Sequence, residues 1–323
     1  GRGSVYPSPS DYWPDCCRPR VRPALILSSR YARNKLARLQ PSRTVRRIGA
    51  LRHSESHFMS SVPADCAPPA LLRADAHGVT TLTLNRPTRY NTLSEEMLAA
   101  LSAAVREIAA DASVRVVVIA STGRAFSTGH CLKELRAHPH ADYYHAVLAR
   151  CSALMQTIVA LPQPVIAKVQ GIATAAGCQL VASCDLAIAS NEARFATSGI
   201  NYGLFCATPG VALARTVARK HALEMLYTGD FISAATAAEI GLINRAVAAS
   251  DLDAEVAGLA RKIAAQSAYA IQLGKASFNA QVDLSLDAAY RAASADLARN
   301  LLAEDGVEGL NAFFDKRAPH YRQ

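Results

Sequence analysis

Two short stretches of small residues could do chemistry with their main chain. Residues 126–130 (FSTGH) and 175–177 (AAG) each follow a strand-like run and precede a helix-like one. Small side chains allow a ligand to approach the backbone, and the first N–H groups of a helix are unpaired donors. Two such turns facing one pocket would form an oxyanion hole, a pair of N–H donors for a carbonyl oxygen that gains charge. Close packing of a helix on a sheet explains the same small residues equally well.

Three functional side chains lie beside these turns. Gln179 is the lone polar side chain where an apolar helix begins, and an amide can orient a water but cannot take its proton near neutral pH. His130 titrates near neutrality, so a chemical role and a packing role both stay open for its imidazole. Cys178 is a conceivable nucleophile, but a buried helical cysteine is the favoured interpretation.

Several common kinds of site are not indicated. The sequence has no phosphate loop, nucleophile elbow, dinucleotide-binding glycine motif or HExxH zinc motif. Its eight cysteines form no CxxC pair, which favours small buried side chains in a reducing compartment, and no metal site is predicted. No apolar run reaches the roughly 18 residues of a membrane span, so we expect a soluble globular protein without a membrane partner.

The basic character of the chain is confined to its start. The net charge is +9, and residues 1–58 alone hold eleven arginines and one lysine against three acidic residues. Residues 59–323 therefore carry equal numbers of acidic and basic side chains and exert no general attraction on a polyanion. We accordingly expect no nucleic-acid partner.

Residues 1–69 are predicted to be a basic, disordered leader and linker, with three interpretations of the first 58. They could be a mitochondrial transit peptide, a disordered arm, or sequence upstream of a true start at Met59. The third is favoured, with a cytoplasmic, bacterial-type location. A mitochondrial matrix location follows if the leader is a transit peptide.

Strand and helix patterns alternate after the linker. This order predicts an α/β core with parallel pairing over 70–255, and an almost wholly helical pattern begins near Val211, with a C-terminal helical region over 256–323. Strands are predicted within 78–87, 114–121, 164–171, 185–190 and 193–197, and helices within 94–112 and 141–161.

From about residue 75 the chain resembles the crotonase (enoyl-CoA hydratase/isomerase) superfamily over nearly its whole length. The resemblance is carried by long matching segments, three of which are most similar to a single subgroup of the superfamily. They are TLTLNRPTRYNTLS (81–94), GRAFSTGHCLKEL (123–135), PVIAKVQGIATAAGCQLVASCDLAIAS (164–190), ARFATSGINYGLFCATPGVALARTV (193–217), ALEMLYTGDFISAATAAEIGLINRAV (222–247) and EGLNAFFDKR (308–317).

The resemblance implies a spiral of ββα units with a C-terminal helical trimerisation region, assembled as a homotrimer or hexamer. It implies a coenzyme A thioester as ligand, so that coenzyme A arrives as part of the substrate and no tightly bound cofactor is needed. By position, the N–H groups of His130 and Ala176 would be the oxyanion donors. The residues expected near coenzyme A are Thr88, Arg89, His130, Cys131, Leu132, Lys133 and Ala176. Lys316 is expected at the phosphates of coenzyme A, either of the molecule bound to the same subunit or of one bound to a neighbouring subunit.

The chain departs from the superfamily pattern at both catalytic carboxylates. A hydratase of this superfamily carries glutamates at the positions of Gln179 and Gly199, and hydration needs a base for the water and an acid for the α-carbon. We therefore expect weak or absent hydratase activity. Tyr202, Thr208 and the helix residues Asp142, Tyr143, Tyr144 and His145 are further pocket candidates, with a solvated position favoured for Asp142.

Three functions follow as hypotheses. The first is a nominal enoyl-CoA hydratase or isomerase of fatty-acid metabolism that lacks the usual acid–base pair. The second is a non-catalytic binder of coenzyme A thioesters. The third, an RNA-binding member of the same fold, is disfavoured by the balanced charge of residues 59–323.

Overall fold

Two β-sheets organise the residues that this computed structural model describes, 68–322. The stretch from Pro68 to Gln323 forms one compact unit. The leader expected over residues 1–69, and with it the choice among a transit peptide, a basic arm and a start at Met59, lies outside the described residues except for Pro68 and Pro69.

The larger sheet has six strands in the order β1-β2-β3-β5-β7-β10, and every pairing in it is parallel except that of β1 with β2. Its centre is apolar on both faces, as in Ile119, which lies between Leu82 and Ala167 of the neighbouring strands. The strands are β1 (Leu71–Ala76), β2 (Val79–Leu84), β3 (Val116–Ser121), β5 (Val165–Val169), β7 (Leu186–Ser190) and β10 (Arg245–Val247).

The smaller sheet has four short strands in the order β4-β6-β8-β9, of which only the β8–β9 pairing is antiparallel. The strands are β4 (Ala125–Ser127), β6 (Ile172–Thr174), β8 (Arg194–Ala196) and β9 (Ile232–Ser233).

The helices and the strands of the two sheets follow one another along the chain in a repeating order. They are α1 (Glu95–Ala109), α2 (Leu132–Ala137), α3 (Ala141–Ala160), α4 (Ala176–Ser183), α5 (Ala207–Thr216), α6 (Arg219–Thr228), α7 (Ala234–Glu239), α8 (Leu252–Ala264), α9 (Ala268–Gln281), α10 (Leu286–Leu302) and α11 (Glu304–Phe314). Three times the chain runs from the larger sheet to the smaller sheet and then into a helix, as β3–β4–α2, β5–β6–α4 and β7–β8–α5. This succession confirms the predicted ββα spiral and its C-terminal helices.

Local sequence signals account for the first helix. The Ser94 hydroxyl accepts a hydrogen bond from the Met97 N–H, as an N-cap should, and the apolar face predicted for α1 is buried from Met97 to Ile108. This face packs in the main core with the side chains of α3 and the sheet.

The end of the core adds two details to the sequence prediction. The chain beyond Val211 is mainly helical, as predicted, but the short strands β9 and β10 interrupt the helices, and β10 pairs with β7 in parallel. Strands of two or three residues are too short to show the alternation on which the prediction depends. The expected division at residue 255 also falls inside α8, whose Leu252 and Val256 pack against the larger sheet in a second apolar cluster.

The last three helices, α9 to α11, carry many large apolar side chains on their surfaces. These exposed side chains include Phe278, Leu286, Tyr290, Leu297, Leu302, Phe313 and Phe314.

Within the described part of the chain, no helix is both long and apolar enough to cross a membrane.

Candidate functional site

The two turns singled out by the sequence touch each other. Gly129 has a φ of +83°, and a Cβ on it would lie 2.9 Å from the Ala176 nitrogen. A Cβ on Gly177 would lie 2.1 Å from the Ser127 carbonyl oxygen. Close packing is therefore a correct explanation of these two glycines. The same contact brings the turn after β4 against the first residue of α4.

The second turn stores backbone strain at a non-glycine residue. Ala175, the residue before α4, has φ 52° and ψ −123°. Its N–H donates to the Ala196 carbonyl over 3.0 Å and its own carbonyl accepts from the Gln179 N–H over 3.0 Å, so both sides of the strained residue are held. Such backbone conformations cost about 1–3 kcal/mol and concentrate at functional sites. An alanine gives no sign of this in the sequence.

The first turn is held from the opposite side by the segment before α1. The Leu93 N–H donates to the Gly129 carbonyl over 2.7 Å, and the Ser127 hydroxyl donates to the Asn91 carbonyl over 2.8 Å. The buried amide of Asn91 in turn donates to the carbonyls of Thr122 and Ala125, each at 2.8 Å. These bonds fix the main chain that leads into His130.

The two expected donors are the N–H groups of His130 and Ala176. Ala176 opens α4, so its N–H has no acceptor one turn earlier in the helix. Over residues 68–322, no acceptor is assigned to either N–H group. The arrangement thus leaves the N–H groups of two adjoining turns without an acceptor among the described residues.

His130 is half-buried, and its ring nitrogens lie on the buried side. Both ring nitrogens are buried and have no hydrogen-bond partner among the described residues. Burial lowers the pKa of the imidazole, and the neighbouring Leu93 backbone opposes this effect only in part. The ring is therefore neutral at pH 7, with one donor nitrogen and one acceptor nitrogen.

Gln179 lies one helical turn beyond the strained residue and is 4% exposed. Its Oε1 atom is buried without a hydrogen-bond partner in the described chain. A buried polar atom left unpaired costs about 1–3 kcal/mol. The buried amide therefore lowers the free energy of unfolding relative to an apolar side chain of similar size at this position.

The second carboxylate position is closed by the main chain. A Cβ on Gly199 would lie 2.5 Å from the Leu204 carbonyl oxygen and 2.7 Å from the Cys206 Sγ. Gly199 is held there by hydrogen bonds in the turn Ser198–Tyr202, whose Gly199 carbonyl accepts from the Leu204 N–H over 3.0 Å. A longer side chain at this position would therefore require the 204–206 loop to move.

Of the four candidates on α3, only Tyr143 is half-buried, and it is bonded elsewhere. Its hydroxyl donates to Glu95 at 2.6 Å, and this bond raises the pKa of Tyr143 to about 12. Asp142, Tyr144 and His145 are exposed, and the Tyr144 hydroxyl donates to the Leu135 carbonyl. The solvated position favoured for Asp142 agrees with this exposure.

The remaining candidates lie near the second carboxylate position. Tyr202 is 42% exposed at the end of its turn, and Thr208 is half-buried in the first turn of α5. Next to them, a pair that the sequence analysis did not single out is buried: the hydroxyls of Thr174 and Ser198 lie 2.7 Å apart. Thr174 directly precedes Ala175, and Ser198 directly precedes Gly199.

Most of the residues expected near coenzyme A adjoin the first turn. Thr88 and Arg89 are exposed on a 3₁₀ turn, and the next carbonyl, that of Tyr90, accepts from the Thr128 N–H over 3.2 Å. Lys316 lies instead just after α11, a helix that packs on α9 and α10. Directly after His130 come Cys131, which is half-buried, and Leu132 and Lys133, which are exposed at the start of α2.

Thiol chemistry and metal binding find no support in this region. Cys178 is buried, and burial raises the pKa of its thiol to about 12, which agrees with a structural cysteine. No three His, Cys, Asp or Glu side chains in the described residues come together in a way that could hold a metal ion.

Residues 74–323 match the family described as Enoyl-CoA hydratase/isomerase. The chain belongs to this family. The match runs from within β1 through the C-terminal helices, and so includes both turns of the site.

Curated relatives in the enoyl-CoA hydratase/isomerase family are similar over most of the chain. Enoyl-CoA hydratase domain-containing protein 3, mitochondrial, of Xenopus laevis is 45% identical over 265 residues, which cover 82% of this chain and 90% of that protein. The protein of the same name in Homo sapiens is 47% identical over 242 residues, 75% of this chain and 80% of that protein. These relatives confirm the subgroup to which the three segments are most similar.

Solved structures agree with the fold. An enoyl-CoA hydratase of Mycobacterium smegmatis has a TM-score of 0.78 and 52% identity, covering 79% of this chain and 100% of that chain. Human enoyl Coenzyme A hydratase domain-containing protein 3 has a TM-score of 0.77 and 46% identity, covering 78% of this chain and 100% of that chain.

Proposed function

We propose that this protein binds coenzyme A thioesters and polarises their carbonyl oxygen between the N–H groups of His130 and Ala176. The observation that carries the proposal is the contact of Gly129 with the Ala176 nitrogen, which brings the two turns together. Donors held in place before the reaction cost no reorganisation when charge develops on the oxygen. Coenzyme A enters as part of the substrate, and no separate cofactor or metal has a role.

The proposed reaction class is that of a nominal enoyl-CoA hydratase or isomerase of fatty-acid metabolism with weak or absent hydratase activity. Gln179 cannot serve as a base, and the main chain closes the position of Gly199. A positioned acid or base typically contributes about 10²–10⁴-fold, so the loss of both leaves mainly polarisation and binding. Coenzyme A itself is proposed to lie along Thr88, Arg89 and the start of α2, with Lys316 at its phosphates.

Incubation of the full chain with a panel of acyl- and enoyl-CoA thioesters tests both parts. Calorimetry should detect binding, and mass spectrometry should show hydration of crotonyl-CoA far below that of an efficient hydratase run in parallel. Hydration at a comparable rate would refute the assignment of weak activity. Failure of every thioester to bind would refute the site.

A purely non-catalytic thioester binder is the second candidate, and it is favoured by the missing carboxylates. Turnover alone distinguishes the two, so the same panel decides between them. An RNA-binding role is opposed by the balanced charge of residues 59–323. Retention of RNA on a filter at moderate salt by protein lacking residues 1–58 would overturn this judgement.

A homotrimer or hexamer is the proposed assembly. Its support is the row of exposed apolar side chains on α9 to α11, among them Leu302 at 84% and Phe313 and Phe314 at 76% exposure. Apolar surface of this extent on a single chain is typical of an interface. Light scattering coupled to gel filtration should give three or six times the 34.4 kDa chain mass.

The mitochondrial matrix is the proposed location, in place of the cytoplasmic expectation. The relatives from Xenopus laevis and Homo sapiens both carry the word mitochondrial in their names. The Arg-rich, acid-poor composition of residues 1–58 agrees with this location. Sequencing of the N-terminus of the protein from fractionated cells would show whether the leader is removed.

A further inference from the structure

The segment that carries the His130 N–H is tied to the start of α1 on both sides of that residue. Before His130, the Gly129 carbonyl accepts from the Leu93 N–H over 2.7 Å. Leu93 and His130 themselves form an isolated parallel β-bridge. After His130, the Oε2 atom of Glu134 accepts from the Glu95 N–H over 3.1 Å. One hydrogen bond therefore holds the chain on either side of the proposed donor.

The Glu134 carboxylate meets the amino end of a helix of 15 residues, α1. This helix begins at Glu95, and the first N–H groups of a helix have no acceptor inside it. The helix dipole also stabilises a negative charge there by about 0.3–1 kcal/mol at an exposed position. The Ser94 hydroxyl accepts from the Met97 N–H, so it leaves the Glu95 N–H to another acceptor. Glu134 is the acceptor that the fold supplies.

Packing alone anchors α2 weakly. None of the six residues of this helix is buried, and Leu135 packs against the main core with only part of its surface. The Tyr144 hydroxyl adds one exposed hydrogen bond to the Leu135 carbonyl, over 3.2 Å. Segments with few buried apolar contacts open locally at a low free-energy cost. The Glu134 bond is therefore a main restraint on the chain that follows His130.

We propose that Glu134 is a positioning residue of the coenzyme A thioester site, which holds the His130 N–H in its place on the first turn through the bond to α1. This inference rests on the proposed function, since it assumes that the N–H groups of His130 and Ala176 meet a thioester oxygen. Glu134 itself does not touch the substrate in this role. Without its bond the His130 N–H takes a wider range of positions, and donors that must reorganise stabilise a developing charge less well.

The bond can be broken from either side. Glu134→Met removes the acceptor. Glu95→Pro removes the donor, and proline suits this position because Glu95 is the first residue of α1 and Ser94 before it is extended, with φ −68° and ψ 168°. Glu95→Gln is the companion change. It keeps the N–H and removes the carboxylate, which accepts from the side chains of Tyr143 and Arg150 over 2.6 Å each.

The affinity that a ligand gains from its carbonyl oxygen measures the effect. Butyryl-CoA and S-butyl-CoA, a thioether that lacks this oxygen, are titrated into the full chain by calorimetry. We expect the wild type to bind the thioester about tenfold more tightly, as hydrogen bonds to one oxygen predict. Glu134→Met and Glu95→Pro should each reduce this preference to about threefold or less, with S-butyl-CoA affinity within about twofold of the wild type. The double variant should lose no more than either single variant, because both changes break the same bond.

Two further variants separate positioning from general damage to the fold. Glu107→Met changes an exposed residue near the opposite end of α1 and should keep the tenfold preference. Glu95→Gln should keep most of it, because the N–H remains. An equal loss in Glu95→Gln and Glu95→Pro would assign the effect to the Glu95 carboxylate and overturn the inference.

The remaining outcomes distinguish the inference from the proposed function. A full carbonyl preference in folded Glu134→Met or in folded Glu95→Pro overturns the positioning role and leaves the proposed function standing. If one of these two variants does not fold, the other decides. A wild type that binds both probes equally well overturns the proposed polarisation, and a wild type that binds neither probe overturns the site itself.

Discussion

Replacing Gly199 with alanine probes the closure of the second carboxylate position. Gly199 does not have a positive φ, so its backbone conformation suits an alanine and only space is at issue. The added methyl would lie 2.5 Å from the Leu204 carbonyl oxygen and 2.7 Å from the Cys206 Sγ, both inside the 3.4 Å at which ordinary contact begins. The first obstacle is main chain, and the second is a side chain only 9% exposed.

The expected cost follows from what must move. Forcing one extra methyl into a packed region typically costs about 1–3 kcal/mol. The melting temperature of a domain of 150–250 residues falls by about 2–4 °C for each kcal/mol. We therefore expect Gly199→Ala to lower the melting temperature by roughly 2–12 °C, with a matching fall in the urea midpoint.

Gly258→Ala is the matched control. Gly258 lies inside α8, and a Cβ there meets nothing within 4 Å. This substitution should raise the free energy of unfolding by about 0.5–1 kcal/mol, because alanine favours a helix interior over glycine. Urea unfolding of both variants and the wild type is followed by circular dichroism at one protein concentration, since an oligomer's stability depends on concentration.

The two outcomes separate cleanly. If Gly199→Ala is as stable as the wild type, the 204–206 loop does not close over this position, and the reason given for its missing carboxylate is wrong. If the variant is destabilised as expected, a joint restoration of glutamate at Gln179 and Gly199 is confounded by steric damage. The single change at Gln179 is then the interpretable test of the lost chemistry.

Three further predictions follow from the described contacts. Gln179→Glu should raise crotonyl-CoA hydration by up to about 10²-fold by supplying one base, with Gln156→Glu on the exposed face of α3 as the unchanged control in the same absorbance assay. Burial raises the pKa of the Cys178 thiol to about 12, so only about 10⁻⁴ of it is ionised at pH 8. Cys178 should therefore resist iodoacetamide until urea unfolds the protein, as measured by peptide mass spectrometry. Fast labelling of the native protein would contradict the burial of this thiol. The hydrogen bond from Arg317 lowers the pKa of Glu308 to about 2, so its stabilisation of the C-terminal tail is fully present above the unfolded pKa, near 4.3, and is lost as pH falls toward 2. Glu308→Gln should remove this dependence and speed hydrogen exchange at the His320 N–H, which donates to Glu308 over 2.7 Å; unchanged exchange would refute the pairing.

Periodic patterns were enough to predict the elements of the core. The apolar face of α1, its Ser94 cap and the apolar runs of β3, β5 and β7 each depend on residues near in sequence, and the structure confirms them. The resemblance of long segments correctly indicated the ββα spiral and the family. The sequence did not predict strands as short as β10, because such a strand forms only through pairing with a strand distant in sequence.

The same division holds for the site. Residue types alone determined that positions 179 and 199 lack carboxylates and that small residues line both turns, because such facts are properties of single positions. Only the tertiary structure decided that Gly129 touches the Ala176 nitrogen, that Ala175 is strained, and that Leu204 and Cys206 close the space beside Gly199. These facts are distances between residues brought together by folding, and spacing along the chain does not encode them. Folding likewise turned His130 and Gln179 from two scattered polar residues into neighbours of one pair of turns with unpaired buried atoms.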